Sequence, residues 1–365
     1  HTAAAAYGRA VELAPDNVDI HRGKGETHLI LGDLSWRLSR HEEAERSYRE
    51  AVASYDRALG LAGDAVEFHN QRGNALRKLG ELRARLSRHE QAMGSYGDAA
   101  AAYARALVLA PDRAEVFKNR ARALRSLGEL QVRLGEHSVA ERSYLEATAT
   151  CQRALELTPN DAEAHGNLAL ALRSLGDLYA GMGRYEMAEG TYQDALAVCG
   201  RALKLSPRDV EAHKNMGNVL RSMADEVVSQ RGQESVEARY RDAIACYLRA
   251  LDLAPDDVNA HVQMGIALCG LAKLQGRLGR HEESISSHRQ AIAACDRALG
   301  IAPDDVGALN SLGNAYWSLG VLQSALHQQE AVRSVEKALA AFSHSLRLVP
   351  SDGRIRREVA SLQQL

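Results

Sequence analysis

Apolar side chains recur along most of the chain at the three- and four-residue spacing of a helix that buries one face. Leu168, Leu172 and Leu175 form one such stripe. Between successive turns this pattern predicts two helices, for example over residues 161–182 and 185–205. Because neither helix can bury its apolar stripe alone, we expect neighbouring helices to stack on each other.

The two-helix pattern recurs every 48 residues. An arginine that begins an Arg-Ala-Leu-like triplet marks this period at Arg9, Arg57, Arg105, Arg153, Arg201, Arg249 and Arg297. Six residues later we expect the helix to end, at Pro15, Gly63, Pro111, Pro159, Pro207, Pro255 and Pro303. The last marker, Pro350, lies one residue early, which predicts a one-residue deletion in the turn near His327.

This period predicts a single solenoid over residues 1–365 that contains seven full repeats. Their predicted bounds are 16–63, 64–111, 112–159, 160–207, 208–255, 256–303 and 304–350. Residues 1–15 match only the end of a second helix, so we expect a truncated repeat and a natural protein that continues upstream. Residues 351–365 are predicted to form either an end helix or the start of a further repeat.

The fourth repeat contains "AEAHGNLALALRSLG", "YEMAEGTYQDA" and "RALKLSP", which resemble the tetratricopeptide repeat. Ala169 matches the family's small residue at the first helix crossing, Ala188 its second small residue, and Tyr192 its aromatic position. The family repeat has about 34 residues, so this one is longer, and a duplicated seven-residue step in each helix accounts for the excess. The resemblance implies an all-α, right-handed α-solenoid, a superhelix of stacked antiparallel helix pairs, here with unusually long helices.

Composition narrows the classes of function. The chain is 45% hydrophobic but only 5% aromatic, and its formal net charge of −2 provides no field that would recruit nucleic acid. No apolar run approaches the roughly 18 residues that a membrane span needs. The five cysteines form no CxxC pair, which favours reduced thiols and a cytoplasmic protein.

Two short motifs suggest chemistry that the 48-residue frame argues against. The stretch "HRGKGETH" could be a phosphate loop or a metal site, but His21 shares its repeat position with Phe117 and Leu309, which indicates packing. Cys151 and Cys199 occupy a position that other repeats fill with tyrosine, which indicates buried thiols. With no nucleophile elbow, phosphate loop or zinc motif, we predict no catalytic residue, no metal and no cofactor, and therefore no enzyme.

The first helix of each repeat also carries a polar stripe on one face. The resemblance implies that this helix lines the concave groove of the superhelix, where the family uses Lys, Arg and Asn to bind peptides. We therefore predict partner contacts at Arg22, Glu26, Asn70, Asn74, Arg77, Lys118, Arg122, Arg125, Arg173, Lys214, Asn218, Arg221, Asn310, Asn314 and Trp317.

The stripe has a structural interpretation as well. An acidic residue follows four positions after each arginine of the ladder, as Glu129 follows Arg125, so the arginines could simply pair within the helix. The third repeat concentrates Lys118, Arg120, Arg122 and Arg125, which indicates either a local difference in packing or a basic pocket. In the fifth repeat, "ADEVVSQRGQESVEARY" lacks the second Leu-Gly step, which predicts a kink or a loosened helix end.

The sequence thus predicts a noncatalytic protein-protein interaction scaffold whose groove binds a peptide or a protein segment, with an acidic segment as one candidate. Two alternatives remain. The chain could be the sensor or regulatory region of a larger signalling protein or enzyme, or it could assemble with itself through the incomplete first repeat. We expect neither nucleic acid nor membrane as a partner.

Overall fold

The computed structural model describes residues 2–227, 233–350 and 352–363, which form α-helices joined by short turns, with no strand among them. The chain divides into two compact units, His1–Leu178 and Tyr179–Leu365. The helices are α1 (Thr2–Leu13), α2 (Val18–Arg37), α3 (His41–Ala62), α4 (Val66–Arg85), α5 (His89–Leu109), α6 (Ala114–Arg133), α7 (His137–Leu157), α8 (Ala162–Gly181), α9 (Tyr185–Leu205), α10 (Val210–Val227), α11 (Gln233–Leu253), α12 (Val258–Arg277), α13 (His281–Ile301), α14 (Val306–Ala325), α15 (Ala331–Leu348) and α16 (Gly353–Leu362).

Each unit is a stack of helix pairs, so the all-α solenoid class is confirmed. We call the even-numbered helices from α2 to α14 helix A and their odd-numbered partners helix B. Helix A packs on helix B of the same repeat, and helix B packs on the next helix A within each unit. Helix α2 has 20 residues and α3 has 22, so each is roughly 30 Å long at about 1.5 Å per residue. The helices are long, as predicted; the hand of the stack and the repeat bounds remain predictions.

The turn from helix A to helix B requires a residue with positive φ. Glycine occupies this position at Gly135, Gly183 and Gly279, with φ between 74° and 80°. His327 takes the same position with φ of 54°, and α15 then begins only at Ala331. The 48-residue spacing therefore holds up to His327. The one-residue deletion lies after this turn, at the start of α15.

Helix A and helix B approach each other closely at two places in a repeat. Gly73 faces the ring of Tyr103, and a Cβ on this glycine would lie 2.6 Å from the ring. Gly80 faces Tyr96, where a Cβ would lie 2.9 Å from the ring. The second contact lies seven residues later in helix A and seven earlier in helix B, as antiparallel helices require. The duplicated seven-residue steps thus add a second crossing point to each repeat.

The residues at the first crossing change together from repeat to repeat. Gly217 faces Tyr247 and Gly313 faces Phe342. At the equivalent positions of two other repeats, alanine replaces glycine and cysteine replaces tyrosine, and all four residues are buried: Ala121 with Cys151, and Ala169 with Cys199. In these two repeats a larger residue on helix A coincides with a smaller one on helix B, which conserves volume in a close-packed interface. The sixth repeat is an exception, because Gly265 faces Cys295 there.

The last helix, α16, covers the end of the second unit. Its Ile355, Val359 and Leu362 are buried in one cluster with Ala338 and Phe342 of α15. Helix α16 also begins where the repeat spacing would place a further helix A. Both predictions for this segment, an end helix or the start of a further repeat, therefore stay open. The kink or loosened helix end predicted for the fifth repeat falls on residues 228–232, which lie outside the described residues. No helix that the structure describes is both long and apolar enough to cross a membrane.

We predict that Gly73→Ala lowers the free energy of unfolding by about 1–3 kcal/mol, because the new methyl group would collide with the Tyr103 ring. Gly94→Ala is the matched control, since Gly94 is also helical but has no atom near its Cβ position, and alanine should stabilise that helix slightly. Adding Tyr103→Cys to Gly73→Ala reproduces the Ala121 and Cys151 pair and should restore much of the loss. Urea unfolding of the four proteins measures this. Equal losses for Gly73→Ala and Gly94→Ala would contradict the crossing-point argument.

Candidate functional site

The arginines of the helix A stripe pair with acids one turn later. Arg77 contacts Glu81 and Arg125 contacts Glu129, and Arg173 Nη1 lies 2.9 Å from Asp177 Oδ2. In the second unit, Arg221 Nη1 lies 2.5 Å from an oxygen of Asp225. The arginines of the ladder therefore do pair with acids within helix A, as the structural interpretation of the stripe predicts. The four arginine side chains are only 16–23% exposed, so these pairs differ from the weak ion pairs of a fully solvated helix surface.

Tyrosines of helix B hold several polar residues of the stripe from beneath. Tyr103 Oη donates a hydrogen bond of 2.8 Å to Asn74 Oδ1, and Tyr247 Oη donates one of 2.8 Å to Asn218 Oδ1. Burial raises the pKa of Tyr103 to about 12, so this hydroxyl stays protonated and able to donate. The amide oxygens of Asn74 and Asn218, which we predicted to bind a peptide, already have a partner in the fold.

The same arrangement holds at the second crossing. Tyr48 Oη donates a hydrogen bond of 2.7 Å to Asp33 Oδ1, and Tyr240 Oη donates one of 2.6 Å to Asp225 Oδ1. Burial, and then the hydrogen bond to Asp33, raise the pKa of Tyr48. A buried phenol therefore fixes the acidic end of the ladder.

Lys118, which we predicted to contact a partner, is buried among carboxylates of its own chain. Its Nζ lies 2.7 Å from Glu115, 3.0 Å from Asp161 and 2.7 Å from Glu163. Asp161 also caps α8, because its Oδ1 accepts a hydrogen bond from the backbone N–H of Ala164. Burial acts to lower the pKa of Lys118, but the hydrogen bonds to Glu115 and Asp161 raise it overall. This lysine ties one repeat to the next.

Lys214 repeats this arrangement in the second unit. Its Nζ lies 2.6 Å from Glu211 and 2.7 Å from Asp257, and Asp257 caps α12 through the backbone N–H of Ala260. The hydrogen bond from Lys214 helps hold the pKa of Asp257 below its usual value, although burial alone would raise it. Both lysines that resemble the family's peptide-binding position thus bind the cap of the following helix A.

The other cations of the cluster around Lys118 are paired as well. Arg122 contacts Glu163 of the next helix A, and Arg120 contacts Glu146. Burial, and then the charge of Arg77, lower the pKa of Arg122. The basic pocket predicted from this cluster of cations is therefore largely neutralised by acids of the same unit, an arrangement that spacing within one helix did not reveal.

The remaining predicted residues lie in varied surroundings. Arg22 is exposed and pairs with Asp19 at 2.9 Å, and Glu26 is exposed. Trp317 packs on the apolar cluster around Phe342 and is only partly buried. The side-chain oxygens of Asn70 and Asn310 are buried without a hydrogen-bond partner in the part of the chain that the structure describes.

The first histidine of "HRGKGETH" and several residues at its repeat position have a structural contact. His21 Nε2 lies 2.7 Å from the carbonyl oxygen of Pro15, and His165 Nε2 lies 3.0 Å from that of Pro159. Because a carbonyl oxygen only accepts, the ring nitrogen donates, and the histidine fastens the preceding turn to helix A. No group of three or more His, Cys, Asp or Glu suited to a metal ion occurs within the described ranges.

A cavity of about 640 Å³ opens along the helix A stripe of the second unit. Its lining comes from α9, α10, α11, α12 and α14, so three consecutive A helices contribute. Ile266 and Cys269 are among its less polar lining residues, and burial raises the pKa of the Cys269 thiol to about 11, which keeps this thiol neutral. The lining also includes Asp225, Tyr240, Lys273, Arg277, Ser311, Asn314 and Tyr185.

Most polar groups of this cavity have no partner in the fold. Lys273 and Arg277 are exposed and form no ion pair with any residue that the structure describes. The side chains of Tyr185, Ser311 and Asn314 likewise make no hydrogen bond within the described ranges. Five side chains are therefore free to contact a bound molecule: the two cations, the hydroxyl groups of Tyr185 and Ser311, and the amide of Asn314.

Of the predicted site residues, the structure brings only Asn314 to this cavity. The 48-residue frame puts Ile266 at the position of Glu26 and Cys269 at that of Arg77, but the predicted site included neither Lys273 nor Arg277. A signal was present, because the repeat position of Lys273 is acidic in the five preceding repeats, at Asp33, Glu81, Glu129, Asp177 and Asp225. A reversal of charge at one member of a regular column marks a change of role.

Comparison with known proteins agrees with the helix-pair architecture. Models of the tetratricopeptide repeat match residues 1–35 and 85–147, residues 141–201, and residues 25–57. No curated protein matches the sequence of this chain.

Solved structures that resemble this chain include two described as tetratricopeptide repeat proteins and one described only by its own name. One from Parabacteroides merdae is 16% identical, with a TM-score of 0.44, and the match covers 93% of this chain and 99% of that one. A thermophilic one from Thermus thermophilus is 19% identical, with a TM-score of 0.42, over 67% of this chain and 100% of that one. BtubC from P. vanneervenii is 19% identical, with a TM-score of 0.46, over 72% and 90%. From its matched repeats and its paired helices with small-residue crossings, we conclude that this chain belongs to the tetratricopeptide repeat family.

Proposed function

We propose that the chain is a noncatalytic scaffold that holds a segment of a partner protein against the helix A stripe of its second unit. Tetratricopeptide repeats form protein-interaction scaffolds in general, and family membership supports that general role. The observation that carries the more specific proposal is the cavity lined by Ile266, Lys273 and Asn314.

The size and lining of the cavity suit a side chain of a bound segment. A volume of about 640 Å³ lies within the range of about 300–1,000 Å³ that is usual for ligand sites. The Asn314 amide offers both a donor and an acceptor, which suits a peptide backbone. The stacked helices that form the cavity are rigid elements, so little ordering entropy is lost on binding.

The chemistry of the lining favours binding over catalysis. Asp225 is occupied by Arg221 and Tyr240, and the Cys269 thiol is neutral. A cytoplasmic location belongs to the same proposal, because all five cysteines are free thiols. Neither nucleic acid nor membrane is part of it.

We expect a photo-crosslinking amino acid at position 314 to capture a partner protein from cells of the source organism. The same amino acid at position 248 is the control, because Leu248 is 48% exposed and does not line the cavity. Mass spectrometry should identify one segment crosslinked at position 314 and absent at position 248. Equal capture at both positions would contradict binding at the cavity.

For the third repeat we propose a structural role, in which Lys118 and Arg122 attach one helix A to the next. Their binding role, which the sequence suggests, remains a hypothesis. Both cations already contact acids of the same unit. Removing Lys118 would leave Asp161 and Glu163 close together without their shared cation, which costs folding free energy.

We predict that Lys118→Met lowers the free energy of unfolding by about 2 kcal/mol, because its charged hydrogen bonds are lost. Arg142→Met is the control, since Arg142 is exposed and forms no ion pair with the described residues. Adding Asp161→Asn to Lys118→Met should recover part of the loss, because it removes the repulsion and retains an acceptor for the helix cap. Guanidinium unfolding measures the set, and a loss no larger than that of the control would refute the structural role.

Self-assembly is a second candidate, favoured by an apolar strip on α2. Leu34 is 49% exposed, whereas the residues at its repeat position, Leu82 and Leu130, are 0% and 3% exposed. Ile30 and Leu38 lie on the same face and are also exposed. A second copy of the chain could cover this strip.

If the strip is a self-association surface, the protein should form dimers or larger assemblies that Leu34→Glu dissociates. Leu145→Glu is the control, because Leu145 is exposed to a similar degree, 47%, on α7. Sedimentation velocity of the three proteins distinguishes the outcomes. A wild-type protein that stays monomeric at tens of micromolar would exclude this candidate.

A further inference from the structure

The sixth repeat departs from the pattern that neutralises the helix A stripe elsewhere. In the preceding repeats an acid occupies the position of Lys273, and each of these acids has an ion-pair partner. Asp33 pairs with Lys78 at 2.8 Å, and the others pair with an arginine one turn earlier: Glu81 with Arg77, Glu129 with Arg125, Asp177 with Arg173, and Asp225 with Arg221.

The sixth repeat has lost all parts of that arrangement together. Lys273 replaces the acid, Cys269 replaces the arginine, and His288 replaces the tyrosine of helix B. No carboxylate in the described part of the chain lies within ion-pair distance of Lys273. This repeat therefore exposes a cation where the five preceding repeats have an acid that is paired with a cation.

Arg277 adds a second cation to the same place. It lies one helical turn after Lys273 on α12, lines the same cavity, and is also without an ion pair among the described residues. Both residues lie between Leu271 and Leu278, within the seven-residue step that lengthens helix A beyond the usual repeat. The cation pair is thus a feature of the added turns.

The charges around the cavity favour a bound anion. Asp225 is balanced by Arg221, so Lys273 and Arg277 give the cavity an excess of positive charge. A carboxylate can accept two hydrogen bonds from the planar guanidinium of Arg277 and a third from Lys273.

We propose that Lys273 and Arg277 bind the side-chain carboxylate of an aspartate or glutamate in the partner segment. The segment is then acidic at the residue that enters the cavity, and its neighbouring atoms lie near Ile266 and Asn314. This inference rests on the proposed function, because it names the chemistry of the partner at the same site. It locates the anion site in the turns that make this repeat longer than the family's.

The test uses synthetic peptides with the full chain. The probes are fluorescent ten-residue peptides with one aspartate or glutamate at each position among alanine, leucine and serine. Each has a counterpart with asparagine or glutamine and another with phosphoserine. Fluorescence anisotropy should detect binding of some acidic peptides, with affinity at least tenfold weaker for their amide counterparts and decreasing with salt.

The variant Lys273→Gln should weaken binding of the acidic peptide about tenfold, the loss expected for one charge-assisted hydrogen bond. Lys273→Glu, which restores the acid of the other repeats, should weaken it further. Lys204→Gln is the matched control, because Lys204 is an exposed lysine of the same unit outside the cavity. Thermal unfolding should be similar for all variants, since both lysines are exposed.

Several outcomes would overturn the proposal. It fails if no acidic peptide binds, if the amide peptides bind equally well, or if Lys273→Gln leaves the affinity unchanged. Tighter binding of phosphoserine peptides would instead assign the site to phosphate. Neutral peptides that crosslink at position 314 would leave the scaffold proposal intact and remove only the acidic partner. Acidic peptides that bind but crosslink at position 248 and not at 314 would remove both.

Discussion

The close approach of two antiparallel helices at a small residue is the constraint on which the rest of this structure depends. A glycine on helix A admits an aromatic ring of helix B, and the added turns repeat this contact seven residues further along. Two such contacts fix both the distance and the register of the pair. The helices can therefore be longer than in the usual repeat without losing alignment, because a step of seven keeps the buried face within about 20° of its original direction.

The crossing contacts also determine which residues appear on the helix A stripe. A tyrosine ring that fills the crossing can place its hydroxyl beside the next residue of helix A, where that residue can accept a hydrogen bond. Asn74, Asn218 and Asp33 accept such a bond, although the hydroxyl of Tyr55 has no such partner among the described residues. Where cysteine replaces tyrosine, as at Cys151 and Cys199, the neighbouring position holds Arg122 or Leu170 and not an acceptor. Part of the polar pattern on helix A therefore results from hydrogen bonds to buried tyrosines of helix B.

The periodicity of the sequence predicted the helices closely, because a seven-residue step, a left-handed turn and a capped start are local features. Helices α8 and α9 begin and end within about two residues of their predicted bounds. The ion pairs between repeats were not predicted. Lys118 and Asp161 are distant in sequence, and only the stacking of α6 on α8 brings their side chains together. A stripe of polar residues on one helix cannot distinguish a group that is free from one that the next helix already holds.

The hydroxyl groups beneath the stripe have an effect on its mobility. Surface asparagines and carboxylates usually sample several rotamers, and a partner that immobilises them must overcome that entropy. Here Asn74 and Asn218 are attached to buried rings at their oxygen atoms, so their amide nitrogens point in fixed directions before any partner arrives. Ordering from the interior thus makes this face a rigid template, and the mobile side chains on it are those, such as Lys273, that the interior does not hold.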